Sequence, residues 1–253
     1  MFLPLSRLFM CGLLMFLAAS GSAAEAPLRI VTEELPPYNM TQDGRVTGMS
    51  TEVVQAVLKE IGVEASIQSM PWARAYELAL NESNVLIYSI VRTPERESLF
   101  QWVGSIGGPT KWFMYSLADR PIKLNSLADA HGHQIATVNQ DVGEQYLVSK
   151  GFRIGEELQS STKYEHNYRK LKVDHVELWI SNELNALYLT RQNGDDPAKV
   201  LIQSLPLPEL SSNGGLNMAF SRKTPIQTVE KFRAGLETIR RNGVYDAIVR
   251  KWL

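Results

Sequence analysis

YSIVRTPER, residues 88–96, is the stretch that decides the predicted fold. It continues an apolar run that is typical of a buried strand, and its Thr-Pro-Glu segment favours a turn into a helix. Arg92 and Arg96 therefore follow a strand end, where open α/β sheets bind ligands. Because a planar guanidinium donates to both oxygens of a carboxylate, the two arginines predict an anion site. The alternative is a pair of surface arginines bonded to Glu95 and Glu97.

The order strand, loop, helix occurs twice before this stretch and once at it. The predicted strands and helices alternate as strand 28–32, helix 51–61, strand 64–69, helix 73–80, strand 85–87 and a helix start after Pro94. Such alternation predicts a parallel sheet with right-handed crossovers. The loops at 33–38, 71–74 and 89–96 should then converge on one edge of the sheet.

A second series of the same kind follows. Strands are predicted at 111–115, 134–138, 176–180 and 199–204, with helices at 124–130, 144–150, 164–172 and 182–191. After a connector rich in turn residues, a strand at 216–220 and a helix from Thr224 to Arg241 complete the pattern, and a last short helix begins at Tyr245. We therefore expect an α/β protein with two lobes.

The composition is that of a globular protein. Of 253 residues, 44% are hydrophobic and 21% charged, and the net charge of −1 gives no reason to expect a nucleic-acid or anionic-membrane partner. His131 and His133 suggest a metal, but without a third ligand a turn is the favoured interpretation, and we expect no metal and no cofactor.

The N-terminus has the pattern of a secretory signal peptide. Arg7 precedes the apolar run Leu8 to Ala19, and small residues follow it up to Ala24. We expect cleavage after Ala24 or the residue before it, and export to the periplasm, with a retained anchor as the alternative. The only cysteine, Cys11, would be removed with this segment, leaving a mature protein without disulfides.

Motifs along most of the chain resemble a known family. They are the first strand with Pro37-Tyr38, then Gly48, Glu52, Trp72, the Thr93–Arg96 segment, Val142-Gly143 and the C-terminal LETIRRNGVYDAIVRKW of residues 236–252. This pattern resembles the extracytoplasmic solute-binding proteins of family 3, the amino-acid-binding type. The box Pro71-Trp72-Ala73-Arg74-Ala75 is similar to that of one subgroup.

The resemblance implies a type II periplasmic binding fold that closes like a Venus flytrap over two hinge crossings. The expected lobes are 25–113 plus 214–253, and 114–213. It implies a monomer, not an enzyme, that captures a small carboxylate-bearing solute for an inner-membrane ABC permease. The alternatives are a ligand-sensing accessory of a membrane receptor, or a lyase using acids among Glu33, Glu34 and Glu183.

The resemblance also implies site residues. Arg96 would grip the solute carboxylate, and Arg92 would be either a second anion contact or a partner of Glu95. The other candidates are the main chain at Ser89 and Val91, the aromatic walls Trp72 and Tyr38, the acidic Glu33, the amides of Val142 and Gly143 at a helix N-terminus, and Arg74.

One position departs from the family pattern. Where amino-acid binders carry an aspartate that neutralises the ligand ammonium, this chain has Asn182, and Val138 is uncharged at another contact position. An amide supplies no charge for a buried ammonium. Either Glu33 or Glu183 compensates, or the solute lacks an α-amino group.

Overall fold

The structure is a computed structural model that describes residues 27–211 and 215–252. The predicted signal peptide and Cys11 lie outside the described residues. The strands are β1 Arg29–Thr32, β2 Met40–Gln42, β3 Arg45–Thr47, β4 Ile67–Ser69, β5 Val85–Val91, β6 Phe100–Ser105, β7 Trp112–Leu117, β8 Ile135–Val138, β9 Leu158–Ser161, β10 Leu178–Asn182, β11 Leu201–Pro206 and β12 Leu216–Ser221. The helices are α1 Met49–Glu60, α2 Trp72–Asn81, α3 Pro94–Glu97, α4 Val142–Ser149, α5 Tyr164–Lys172, α6 Glu183–Gln192, α7 Pro197–Val200, α8 Ile226–Arg241 and α9 Val244–Trp252, with a 3₁₀ turn at Leu127–Ala130.

The first lobe is built on a five-stranded sheet of order β4-β1-β5-β12-β6. β1 is parallel to both β4 and β5, as the alternation of strands and helices predicts, while β12 is antiparallel to β5 and β6. β5 is buried along its whole length, which explains its continuous apolar sequence. The apolar faces of α1 and α8 cover one side of this sheet through Val53, Val57, Phe232 and Leu236.

The second lobe has a sheet of order β11-β7-β10-β8-β9. β8 is parallel to β9 and β10, whereas β7 runs antiparallel to β10 and β11. The carboxyl ends of β8, β9 and β10 therefore lie at one edge of the sheet, followed in the chain by α4, α5 and α6. Trp179 fills the core beside Tyr115 and Tyr168, with ring centroids 6.0 and 5.9 Å away.

Sheet membership locates the two chain crossings between the lobes. β6 belongs to the first sheet and β7 to the second, so residues 106–111 form one crossing, and the chain returns to the first sheet between the end of β11 and the start of β12. The expected boundary at 113 and 114 falls inside β7. We therefore propose Trp112 as the first residue of the second lobe's sheet.

Some local elements differ from the predictions. The Asp43-Gly44 turn connects a small hairpin, β2 and β3, and the polar segment Leu158–Ser161 is a fifth strand of the second sheet. These strands are short, so they carry too few residues for an alternating pattern. Ser50 and Thr224 are not helix caps: α1 begins at Met49 after Gly48, and α8 begins at Ile226 after Pro225.

Gly48 is required by the geometry of its turn. Its φ is 114°, and a Cβ there would lie 2.5 Å from the carbonyl oxygen of Tyr38. That carbonyl accepts the amide of Ser50 at 2.8 Å. The glycine thus lets the loop after β1 hold the first turn of α1, which fixes the position of Tyr38.

Candidate functional site

The carboxyl ends of the two parallel strand groups face each other across the cleft between the lobes. The Trp72 indole N–H donates to the Gln140 carbonyl at 2.8 Å, and the Asn185 side-chain N–H donates to the Pro36 carbonyl at 2.7 Å. Both bonds join a strand-end loop or helix start of the first lobe to one of the second. The lobes are therefore in contact at the edges where the sequence predicts a site.

Arg96 lies at the centre of these contacts. It follows β5 in the short helix α3 and its side chain is 2% exposed. The Nε and Nη2 atoms donate to the Oε1 oxygen of Gln145 at 3.1 and 2.9 Å, and Nη1 donates to the Val91 carbonyl at 3.3 Å. The amide oxygen from the second lobe thus takes two donors along one edge of the guanidinium, the arrangement by which arginine also holds a carboxylate oxygen.

Two aromatic rings cover the guanidinium. Its Cζ atom lies 5.6 Å from the centroid of Trp72 and 5.1 Å from that of Tyr76. Cation–π attraction is strongest when the pair is withdrawn from water, as here. Burial lowers the pKa of Arg96, and the nearby carboxyls of Asp141 and Glu33 oppose that shift. At neutral pH the group remains a cation, since an arginine pKa starts above twelve.

Two carboxyls are buried beside this cation. Glu33 follows β1 and is 4% exposed, and Asp141 follows β8 and is 5% exposed. Burial raises the pKa of Glu33, and the negative charge of Asp141 raises it further. Burial also raises the pKa of Asp141, to about 6, although Tyr164, Arg96 and the Val142 amide stabilise the ionised form. Both carboxyls therefore hold a proton more readily than a solvent-exposed acid does.

Asp141 organises the second-lobe wall. It caps α4, where its Oδ1 oxygen accepts the amide of Val142, and its Oδ2 oxygen accepts the Tyr164 hydroxyl at 2.6 Å. The Val142 amide, a predicted anion donor, is thus bonded to the protein's own carboxylate. Gly143 packs under Ile180, whose side chain would lie 3.2 Å from an added Cβ.

Ser89 occupies a special backbone conformation at the end of β5. Tyr88 pairs with Met218 and Ile90 with Asn217, so Ser89 is the extra residue of a β-bulge, and its φ is 61°. Bulges and left-handed residues concentrate at functional sites because they redirect the main chain. The Ser89 hydroxyl is bonded to the buried side chain of Asn39, whose Nδ2 atom donates to the Glu33 carbonyl at 2.5 Å. This chain of bonds joins the loops after β1 and β5.

Asn182 is the last residue of β10 and is completely buried. Its Oδ1 oxygen caps α6 by accepting the amide of Asn185 at 3.0 Å. Its Nδ2 atom has no hydrogen-bond partner among the described residues. The side chain therefore contributes a donor to this edge that no described residue accepts.

The remaining predicted residues lie apart from this centre or on its border. Arg92 is half exposed, forms a bidentate pair with Glu97 rather than Glu95, and stacks over Trp102. Arg74 lies on the exposed face of α2. Tyr38 is 1% exposed, and burial, with a lesser effect from Glu183, raises its pKa.

The two other acids considered for a lyase, Glu34 and Glu183, bind side chains and amides outside the Arg96 centre. Glu34 accepts the amide and hydroxyl of Thr41 at 2.9 and 2.6 Å. Glu183 accepts Gln203 at 3.3 Å. His131 stacks on Phe152 with ring centroids 4.1 Å apart, and within residues 27–211 and 215–252 no cluster of metal-ligating side chains occurs. In the same residues no helix is long and apolar enough to cross a membrane.

Sequence reasoning missed four residues of the centre: Asp141, Gln145, Tyr164 and Tyr76. Asp141 carried a usable signal, because an aspartate between a strand end and a Val-Gly helix start is a preferred N-cap. Tyr164 could not be assigned to the site from the sequence, because the short polar strand β9 that precedes its helix has no recognisable strand pattern. Gln145 and Tyr76 lie inside helices, and only the tertiary structure brings them to Arg96.

Comparisons with known proteins agree with this architecture. The family model of bacterial extracellular solute-binding proteins, family 3, matches residues 28–253. A histidine kinase sensor domain with similarity to periplasmic binding proteins superposes with a TM-score of 0.76 at 18% identity, covering 89% of this chain and 96% of that chain.

Two amino-acid-binding proteins are similar to a comparable degree. An ancestral arginine-binding protein bound to arginine gives a TM-score of 0.75 at 18% identity, covering 89% of this chain and 97% of that one. The arginine-, lysine-, histidine-binding protein ArtJ from Geobacillus stearothermophilus gives 0.75 at 19% identity, covering 90% and 95%. At these identities the likeness concerns the fold alone, and it confirms the predicted two-lobed α/β architecture.

Proposed function

The chain belongs to family 3 of the bacterial extracellular solute-binding proteins, and from this premise we propose that it captures a small carboxylate-bearing solute between its lobes. It is a solute-binding protein by family. Its neighbours in structure include proteins that bind arginine, lysine and histidine. The class of its own solute, its export to the periplasm and its delivery of the solute to an ABC-type importer are parts of the proposal.

The observation that carries the proposal is the environment of Arg96. A buried guanidinium needs hydrogen-bond acceptors and a counter-charge. Here the acceptors are amide and carbonyl oxygens, from Gln145, Val91 and Gln140. The carboxyls of Asp141 and Glu33 act on the cation from nearby, whereas a solute carboxylate would bring a negative charge into direct hydrogen bonding, which is the stronger interaction. The neighbouring rings of Trp72 and Tyr76, with centroids 5.7 Å apart, add apolar and aromatic surface beside the guanidinium.

The second-lobe contacts give a reason for capture to involve closure. Gln140 and Gln145 reach Arg96 and Trp72 from α4 and the loop before it. A solute held by Arg96 would touch the same second-lobe segment, so binding energy would favour the closed arrangement. Transport and receptor sensing would use the same closure. They differ in the membrane protein that recognises the closed form.

A thermal-shift screen tests the proposed class directly. Carboxylates and their primary amides would be compared in pairs, because a compound that binds only the folded state raises the melting temperature. We expect at least one carboxylate to give a shift that its uncharged amide does not give. Equal shifts for acid and amide, or no shift from a broad set of carboxylates, would contradict the proposal. Proton NMR of the same mixtures would show product signals only if the protein were a lyase.

A further inference from the structure

Two buried polar atoms at the carboxyl-end edge of the second sheet find no hydrogen-bond partner among the residues that the structure describes. Asn182 Nδ2, at the end of β10, and Ser161 Oγ, at the end of β9, are buried and have no hydrogen-bond partner within the described part of the chain. Buried polar atoms are nearly always bonded in native proteins. Both atoms lie at the carboxyl ends of parallel strands, where open α/β sheets bind ligands.

The orientation of the Asn182 amide is set by its cap. The Asn185 main-chain amide is a donor and needs an acceptor, so Oδ1 must face it, at 3.0 Å. A rotated amide would place two donors against each other. Nδ2 must therefore point away from the helix, and what faces it must be an acceptor.

The surroundings place this donor at the cleft. Side chains alternate along a strand, so Asn182 lies on the same face of β10 as Ile180, which packs on the first turn of α4 at Gly143. That turn begins beside Asp141, next to the Gln140 carbonyl bonded to Trp72. One turn beyond Asn182, Asn185 reaches across to Pro36 of the first lobe.

We propose that Asn182 donates its side-chain N–H to an oxygen acceptor of the solute. The preferred solute is then an amine-free carboxylate, such as an oxo acid, rather than an amino acid. This inference rests on the proposed capture of a carboxylate. An ammonium at the same place would set donor against donor, and the Asn182 oxygen is committed to the helix cap. The second lobe thus selects for the solute by hydrogen bonding and not by charge.

The test uses pairs of probes that differ only in this group. Pyruvate, 2-oxoglutarate and phenylpyruvate would be titrated by calorimetry against L-alanine, L-glutamate and L-phenylalanine. In at least one pair, we expect the oxo acid to bind the wild-type protein about tenfold or more tightly than the amino acid, the scale of one unsatisfied buried polar group. A wild-type preference for the amino acid in the pairs that bind overturns the inference.

Two substitutions separate the donor from the cap. Asn182→Asp keeps an equally good N-cap and exchanges the N–H for an oxygen. It should therefore weaken binding of the oxo acid about tenfold to a hundredfold and strengthen binding of the amino acid. Asn182→Ser also keeps a cap, and its hydroxyl is one heavy atom shorter than the amide, which withdraws the donor from the solute. It should therefore weaken binding of the oxo acid without strengthening binding of the amino acid. Circular dichroism melts would verify that both variants fold. If a folded Asn182→Asp variant keeps the wild-type ratio of oxo-acid affinity to amino-acid affinity, the inference is overturned while carboxylate capture stands. If no carboxylate binds the wild type, the proposed function itself fails.

Discussion

Gln145 provides the sharpest test of how Arg96 is used, because its side-chain oxygen occupies the edge of the guanidinium that a solute would take. Oε1 accepts Nε at 3.1 Å and Nη2 at 2.9 Å. A carboxylate that binds this edge must displace the amide. Gln145→Leu removes the competing acceptor and keeps a side chain of similar size and helix propensity.

The size of the effect follows from the two bonds. Hydrogen bonds to a charged group contribute about 1.5–3 kcal/mol each, and the two here share one oxygen, so we take about 1.5–3 kcal/mol for the pair. Solute affinity should therefore rise about tenfold to a hundredfold in Gln145→Leu. Gln145→Glu should act oppositely, since its carboxylate would pair with Arg96 and exclude the solute.

The assay is isothermal titration calorimetry with the strongest carboxylate from the thermal-shift screen. Gln159→Leu is a matched control, because Gln159 lies in the same lobe and its side-chain amide bonds only to Gln134 among the described residues. We expect solute affinity to rise in Gln145→Leu, to fall in Gln145→Glu and to stay unchanged in the control. Weaker binding by Gln145→Leu would falsify the competition and make Gln145 a direct contact of the solute.

Three further outcomes follow from the same structure. Burial raises the pKa of Asp141 to about 6 from an ordinary 3.8, so this carboxyl stays protonated to a higher pH in the folded state than in the unfolded state. Stability is therefore lost as pH rises from about 4 to 6. Asp141→Asn should therefore gain up to about 3 kcal/mol against urea at pH above about 7 and nothing below about 4; an equal gain at both pH values contradicts this. Burial also raises the pKa of Glu33, so an amine-free carboxylate should bind with proton uptake and more weakly as pH rises. Calorimetry in buffers of different ionisation enthalpy measures this uptake; proton release would argue for a cationic solute. Gly48→Ala should lower stability by about 1–3 kcal/mol or more, whereas Gly132→Ala, also at positive φ but with nothing within 4 Å of the added Cβ, should lose less; equal losses would exclude the clash with the Tyr38 carbonyl.

The parallel part of the first sheet, made of β1, β4 and β5, could be predicted because its strands and helices alternate in strong local patterns. The antiparallel pairing of β12 with β5 and β6 was not predicted. β5 is apolar except at Ser89 and is followed after Arg92 by a Thr-Pro helix start, so strand, loop and helix are each visible in one short stretch. β9 shows the opposite case. Its sequence Leu-Gln-Ser-Ser is short and polar, and it becomes a strand because β8 offers a paired edge. Tertiary pairing, not propensity, determines it.

The candidate site likewise contains residues that the sequence predicts and residues that only the tertiary structure reveals. The position of Arg96 followed from the strand end that precedes it, and Glu33 from the loop after β1. The chemistry facing them did not, because Asp141 and Gln145 reach the centre only when the lobes meet. Asn182 shows how finely the result depends on geometry: the sequence reveals an amide, but only its cap on α6 decides that the free atom is a donor.

The most direct test of the central claim is a comparison of Arg96 with its neighbour Arg92. Arg96 is buried between the lobes, whereas Arg92 is half exposed and paired with Glu97. Carboxylate affinity would be measured by calorimetry for Arg96→Met and Arg92→Met, with circular dichroism melts to verify folding. Capture by Arg96 predicts that a folded Arg96→Met variant loses detectable binding while Arg92→Met keeps the wild-type affinity. Retained carboxylate binding in Arg96→Met, or equal losses in both variants, would contradict the account.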